Sequence, residues 1–189
     1  MQFNGKYRTS QHPKEFERFI DLALSSGVTS YLEIGARHGG SLYEVVSRLP
    51  VCSTAVAVDL PNGLWGKIDT EKSLFACGIE LRIKGYDVHI ILGDSQDVVT
   101  IQKVAQYAPY DLTFIDGSHL YEDVKADWEN YGPMSRMVAF HDIDGEKVKC
   151  KSPDVFVQVP RLWRELKAVF PHEEIIAAGS QMGIGVIFK

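Results

Sequence analysis

The chain has 189 residues, 45% of them hydrophobic and 24% charged, with a formal net charge of −5; this is ordinary for a globular domain and gives room for one full-sized core. The acidic balance excludes binding driven by nucleic-acid phosphates, and no apolar run approaches the length needed to span a membrane. Met1 to Arg8 lacks the apolar heart of a secretion signal, and the widely spaced Cys52, Cys77 and Cys150 suit neither a disulfide framework nor a zinc site, so a cytoplasmic protein is expected, one domain over 1–189 with an N-terminal helical extension over 1–28.

Pro13 opens the first helix. Phe16, Phe19, Ile20, Ala23 and Leu24 recur there at helical spacing until Gly27 stops it. Tyr31 to Ile34 reads as a strand, followed at once by Gly35, Gly39 and Gly40. Behind these glycines Leu42, Val45, Val46 and Leu49 fall on one helical face, ended by Pro50. Ala55 to Val58 is the unbroken apolar run that a strand buried on both faces needs. A helix over roughly 70–84 leads to a strand at Val88 to Leu92. Val98, Ile101, Ala105 and Ala108 mark the next helix, and Leu112 to Ile115 the next strand. Leu120, Val124 and Trp128 give a further helix its buried stripe, and Met137 to Phe140 is a fifth strand. Pro160 opens a helix carrying Leu162, Trp163, Leu166, Val169 and Phe170. Glu174 to Ala177 and Ile184 to Phe188 flank a Gly/Ser turn and predict a terminal hairpin. The alternation predicts an α/β fold: a Rossmann-like, doubly wound, mostly parallel seven-stranded sheet with a C-terminal antiparallel hairpin strand.

Ligands of such sheets bind beyond the carboxyl ends of the strands, and polar residues cluster there. The first strand runs into Glu33-Ile34-Gly35-Ala36-Arg37-His38-Gly39-Gly40-Ser41. Gly35 allows a tight turn, Gly39 and Gly40 allow close approach to the backbone, and Glu33 could face a ligand ammonium. The dinucleotide fingerprint would place glycine where Arg37 stands, which weakens the case for a nicotinamide cofactor. Asp59, followed by Leu60, ends the second strand and can accept both ribose hydroxyls. Gly93-Asp94-Ser95 ends the third, where a carboxylate can receive the adenine amine. Asp94 or Ser95 would otherwise serve as a helix N-cap. Three acids at one sheet edge are harder to explain as caps than as an adenosine site.

These residues carry a resemblance. Glu33 to Ser41 is similar to the first motif of class I S-adenosylmethionine-dependent methyltransferases, and Asp59 stands at their acidic second motif. Ile115-Asp116-Gly117 with His119, Tyr121, Val124 and Asp127 resembles a segment of the small O-methyltransferases related to those of macrolide and cephamycin pathways. The resemblance covers roughly 31–188. It departs at Arg37, where the wider group often has glycine, and at His141, where relatives often have aspartate. It implies S-adenosylmethionine as cofactor, bound by Glu33, Gly35, Ala36, Arg37, Gly39, Ser41, Asp59, Leu60, Gly93, Asp94, Ser95, Asp116 and Gly117.

Asp116 ends the fourth strand and His141-Asp142 the fifth, so three donors would converge beside the methyl donor. Two carboxylates suit Mg²⁺, whereas a ligating His141 favours Mn²⁺, Fe²⁺ or Zn²⁺; Asp144 is a reserve donor. His119 is the candidate general base, since imidazole titrates near working pH, unless it only starts a helix capped by Ser118. The loop 61–66 brings Trp65, and the stretch 143–159 brings Lys147, Lys149 and Lys151, as a lid or as solvated surface. The expected activity is metal-assisted O-methylation of a small hydroxylated acceptor, with no nucleic-acid or membrane partner and with homo-oligomerisation left open. The rivals are a non-catalytic nucleoside-binding module and an NAD-dependent oxidoreductase, for which no hydride-transfer apparatus is found.

Overall fold

A computed structural model describes residues 6–61, 68–150 and 155–189. Helix α1 (Pro13–Ser25) precedes β1 (Ser30–Ile34), α2 (Gly40–Val46), β2 (Thr54–Asp59), α3 (Ile68–Ile83), β3 (Asp87–Leu92), α4 (Val98–Ala105) and β4 (Tyr110–Ile115). Then follow α5 (Tyr121–Tyr131), β5 (Ser135–His141), α6 (Val159–Lys167), β6 (His172–Ile175) and β7 (Ile184–Phe188). The strands form a seven-stranded sheet in the order β3-β2-β1-β4-β5-β7-β6. The pairings among β1 to β5 are parallel, and β7 runs antiparallel between β5 and β6. The expected doubly wound sheet and terminal hairpin are present.

Side-chain alternation along each strand builds two cores. Tyr31, Ala55, Ala57, Phe114 and Ala139 face Phe16, Phe19, Leu42 and Leu74 of α1 to α3. Leu32, Ile34, Val56, Val58 and Phe140 face Val104, Val124, Leu162 and Trp163 of α4 to α6. Both faces being covered explains why the parallel strands read as unbroken apolar runs. Element ends differ from the periodic signal by a few residues. Helix α2 stops at Val46 although Leu49 remains buried, because the chain turns at Ser47 before the strand. Strands β4 and β5 begin two residues earlier than their apolar runs, at Tyr110 and Ser135, where Tyr110 and Ser135 still pair in register. Among the described residues no helix is long and apolar enough to cross a membrane.

The strand order reverses direction between β1 and β4, and register decides what meets there. Ile34 pairs with both Val58 and Ile115, Asp59 with Leu92, and Ile115 with Phe140. The residues that follow each strand therefore emerge at one rim, at the topological switch point where doubly wound sheets bind ligands.

Candidate active site

The rim opens into a cavity of about 540 Å³, within the range of ligand pockets. Its walls include Gly35, Ala36, Arg37 and Ser41 from the first turn, Asp59 and Leu60 after β2, and Gly93, Asp94 and Ser95 after β3. Asp116, Gly117 and His119 come from the β4 end, and His141 and Asp142 from the end of β5. Two expected residues stand back from it. Gly39 packs on Cys77 and Leu74. Glu33 is fully buried beneath the floor, where its carboxylate accepts from Tyr31 Oη at 2.9 Å and from Ser41 Oγ. Burial pushes that carboxyl up to about 8, against the two hydroxyls, so it is mostly protonated at neutral pH.

Two glycines shape the entrance. Gly35 has φ +92°, and a Cβ there would lie 2.3 Å from the Asp116 carbonyl oxygen, so only glycine lets the β1 and β4 turns touch. Gly40 meets protein instead of ligand: a Cβ would lie 2.3 Å from the Arg8 carbonyl oxygen. A strap of Arg8, Thr9, Ser10 and Gln11 crosses here and forms one wall of the cavity. Tyr7 anchors it, donating to Glu80 at 2.8 Å and lying 5.1 Å from the Tyr43 ring, while Lys6 pairs with Glu80 at 2.5 Å. Arg37, at the position where glycine is commoner, adopts the left-handed backbone of a glycine, with φ 47°.

At the β2 end, Asp59 accepts the backbone N–H of Arg37. Burial raises its carboxyl, opposed by that bond and by the Leu60 N–H. Asp94 accepts from Gln96 N at 2.9 Å in a local turn. Neither Asp94 nor Ser95 caps α4. Asp97 does, accepting from Val99 N at 2.8 Å, which leaves Asp94 and Ser95 in the cavity wall. Behind them lies Asp127, whose place on the buried stripe of α5 was readable from its spacing to Val124. Burial, and then the nearby Asp123 and Asp94, push its carboxyl up to about 7, and its Oδ1 has no hydrogen-bond partner.

The polar cluster sits across β4 and β5. His141 Nδ1 lies 2.8 Å from Asp142 Oδ1 and 3.2 Å from Asp116 Oδ1, and His119 Nδ1 lies 2.6 Å from Asp142 Oδ2. Gln11 reaches in from the strap and donates to Asp116 Oδ2 at 2.6 Å. Nothing in the polar, aperiodic sequence before α1 signalled this contact. Asp142 takes a left-handed turn, φ 65°, that brings its buried carboxylate between the two imidazoles. Burial disfavours charge on both histidines, yet the neighbouring carboxylates, Asp142 for His119 and Asp116 first for His141, raise both above the ordinary imidazole value. Burial would likewise raise Asp142, but the imidazoles hold it well below the usual carboxylate range.

Both Asp142 oxygens are held by these close ion pairs with the imidazoles, and among the described residues no further donor reaches them; His141 Nε2 is buried without a hydrogen-bond partner. Asp116, His141 and Asp142 each offer one donor atom, all within 4.8 Å of one another. Two carboxylates and an imidazole whose Nε2 has no partner fit a divalent cation. Asp144 is exposed on the following loop. Ser118 does not cap α5; it donates to Asp123 at 2.5 Å, and Gln158 Oε1 accepts the first helical N–H, that of Tyr121, at 3.0 Å. Gln158 N also donates to the His119 carbonyl at 2.8 Å, so the β5–α6 loop holds His119 in place. Lys149, exposed at the rim, lines the cavity with Val148, Cys150 and Val157, whereas the equally exposed Lys147 lies outside it. Trp65, with its loop 62–66, and Lys151 lie outside the described residues.

The sequence profile of the methyltransferase-domain family matches residues 32–143, from β1 through the end of the polar cluster. No curated protein sequence gives a significant match. Among solved structures, the chain is similar to an O-methyltransferase from Bacillus cereus in complex with S-adenosylhomocysteine. The TM-score is 0.71 at 18% identity, over 95% of this chain and 83% of that one. It is also similar to TomG from Streptomyces achromogenes, an O-methyltransferase of tomaymycin synthesis in complex with S-adenosylmethionine. Here the TM-score is 0.66 at 17% identity, over 95% of this chain and 81% of that one. At these identities the likeness is one of fold.

Proposed function

The chain belongs to the methyltransferase-domain family, and from that membership we propose that it moves a methyl group from S-adenosylmethionine to a hydroxyl oxygen of a small acceptor, with a divalent cation assisting. The observation that carries the reading is the shared cavity: Asp59 and Asp94 line one end and the Asp116–His119–His141–Asp142 cluster the other.

When bound, the cofactor supplies an electrophilic methyl on a cationic sulfur, and the protein contributes placement and proton transfer. Asp59 accepts the ribose hydroxyls, and Asp94 receives the adenine amine beside Ser95. Gly35, Ala36 and Gly117 offer backbone to the middle of the ligand, with Leu60 against the nucleoside and Ser41 below. Glu33 and Gly39 support this turn from behind. The acids lining the cavity favour a ligand that carries both sulfonium and ammonium charge. Asp116, His141 and Asp142 would hold the cation, which there would acidify a bound hydroxyl. His119 takes the hydroxyl proton: Asp142 beside Nδ1 orients the ring and leaves Nε2 for the acceptor. Val148, Cys150, Val157 and Met182 give the His119 end an apolar side suited to a small hydroxylated molecule.

The test is transfer of labelled methyl from S-adenosylmethionine to a panel of catechol-like, sugar and polyketide alcohols, with EDTA and then with single metals restored. Metal-dependent product on hydroxylated acceptors supports the reading. Binding of the cofactor without transfer to any acceptor would favour a non-catalytic nucleoside module.

A further inference from the structure

The cavity is unevenly charged. Asp59, Asp94, Asp116, Asp123, Asp127 and Asp142 all line it. Among the described lining residues, the fixed cations are Arg8, Arg37 and Lys149. Lys149 belongs to the His119 end and lies 5.8 Å from the Phe156 ring centroid. Arg8 and Arg37 instead meet where the strap crosses the first turn. The Arg8 backbone rests against Gly40, three residues past Arg37, and Arg37 Nη1 lies 3.5 Å from Ser10 Oγ on the same strap. Arg37 thus bridges two parts of the site, its backbone N–H on Asp59 and its guanidinium at the strap. An L-residue is strained in the left-handed turn that Arg37 occupies, so the guanidinium itself calls for an explanation.

The methyl donor of the proposed reaction, on which this inference rests, ends in an α-amino acid. Its sulfonium and ammonium suit the acidic walls, but its carboxylate is repelled by them. Guanidinium groups recognise carboxylates with paired, charge-assisted hydrogen bonds. We propose that Arg37 and Arg8, brought together by the strap over Gly40, clamp the α-carboxylate of the donor and make the enzyme selective for a donor that carries it. The strap is then part of the cofactor site, and the departure from glycine at position 37 is a specificity device.

Titrating the full chain with S-adenosylmethionine and with decarboxylated S-adenosylmethionine tests this, because the two differ by that carboxylate alone. The wild type is expected to prefer the carboxylated ligand by roughly 10- to 100-fold. Arg37→Ala, and more so Arg37→Ala with Arg8→Ala, should erase that preference by weakening S-adenosylmethionine while leaving the decarboxylated ligand unchanged. Arg37→Lys should restore part of it. Equal weakening of both ligands in the variants, or a wild type that does not discriminate, overturns the clamp. A wild type that binds neither ligand overturns the methyl-donor reading itself.

Discussion

Glu33 offers a test of how burial sets charge beneath the site. Its carboxylate has no exposed surface and accepts from Tyr31 and Ser41. Burial raises it from 4.5 to about 8; the two hydroxyls oppose the rise, and Asp116 and Asp59 add to it. The unfolded chain releases this proton at the lower value. Between the two values the folded protein holds a proton that the unfolded chain has lost, so stability falls as pH rises. The penalty is absent below the lower value and complete above about pH 8. Its ceiling is about 5 kcal/mol, a large share of the 5–15 kcal/mol that typically holds a domain together. Glu33→Gln keeps the shape and one acceptor oxygen but has no charge to bury. Urea unfolding of both proteins at several pH values reads the difference. The two should be similar near about pH 5, and the variant should gain several kcal/mol over the wild type by about pH 8.5. Asp127, raised to about 7, contributes the same slope to both and cancels. Parallel pH–stability curves would mean that Glu33 carries no raised carboxyl in the folded chain.

Three further outcomes are expected. Asp142→Asn should lower kcat by roughly 10²- to 10⁴-fold with S-adenosylmethionine affinity changed little, as compared by turnover and by calorimetric titration. His119→Gln should show the same split between kcat and binding, since the role proposed for this side chain is to take the acceptor proton. Gly40→Ala forces a Cβ into the Arg8 and Thr9 backbone and should displace the strap, weakening S-adenosylhomocysteine and increasing amide exchange over 8–11 with the sheet core unaffected.

The sheet was legible because its physics is local and repetitive. Buried strands such as Ala55 to Val58 must be apolar throughout, and the intervening helices must show a 3.6-residue stripe. The rim followed from topology: once β1 and β4 are neighbours, residues just past each strand must meet. Asp59, Asp94, Asp116 and Asp142 accordingly share one cavity. Side-chain direction was not legible. Glu33 is at the expected strand end, yet it satisfies its oxygens with Tyr31 and Ser41 beneath the floor. Gly40 looked like a ligand contact and is a backbone crossing, a long-range fact that no local pattern encodes. The strap was invisible for the same reason, since Arg8 to Gln11 are polar, aperiodic and meaningful only against Gly40, Arg37 and Asp116. Helix caps misled where two acids compete: Asp97 takes the α4 cap that Asp94 could have filled.

The proposed function requires an adenosine-bearing ligand held by Asp59 at the switch point of the sheet. Calorimetric titration of S-adenosylhomocysteine into the wild type and Asp59→Ala tests it most directly. One site per chain is expected on the wild type, with an affinity lower by roughly 10- to 100-fold in the variant and no heat with NAD. Equal affinity in the two proteins, or binding of NAD in place of S-adenosylhomocysteine, would contradict it.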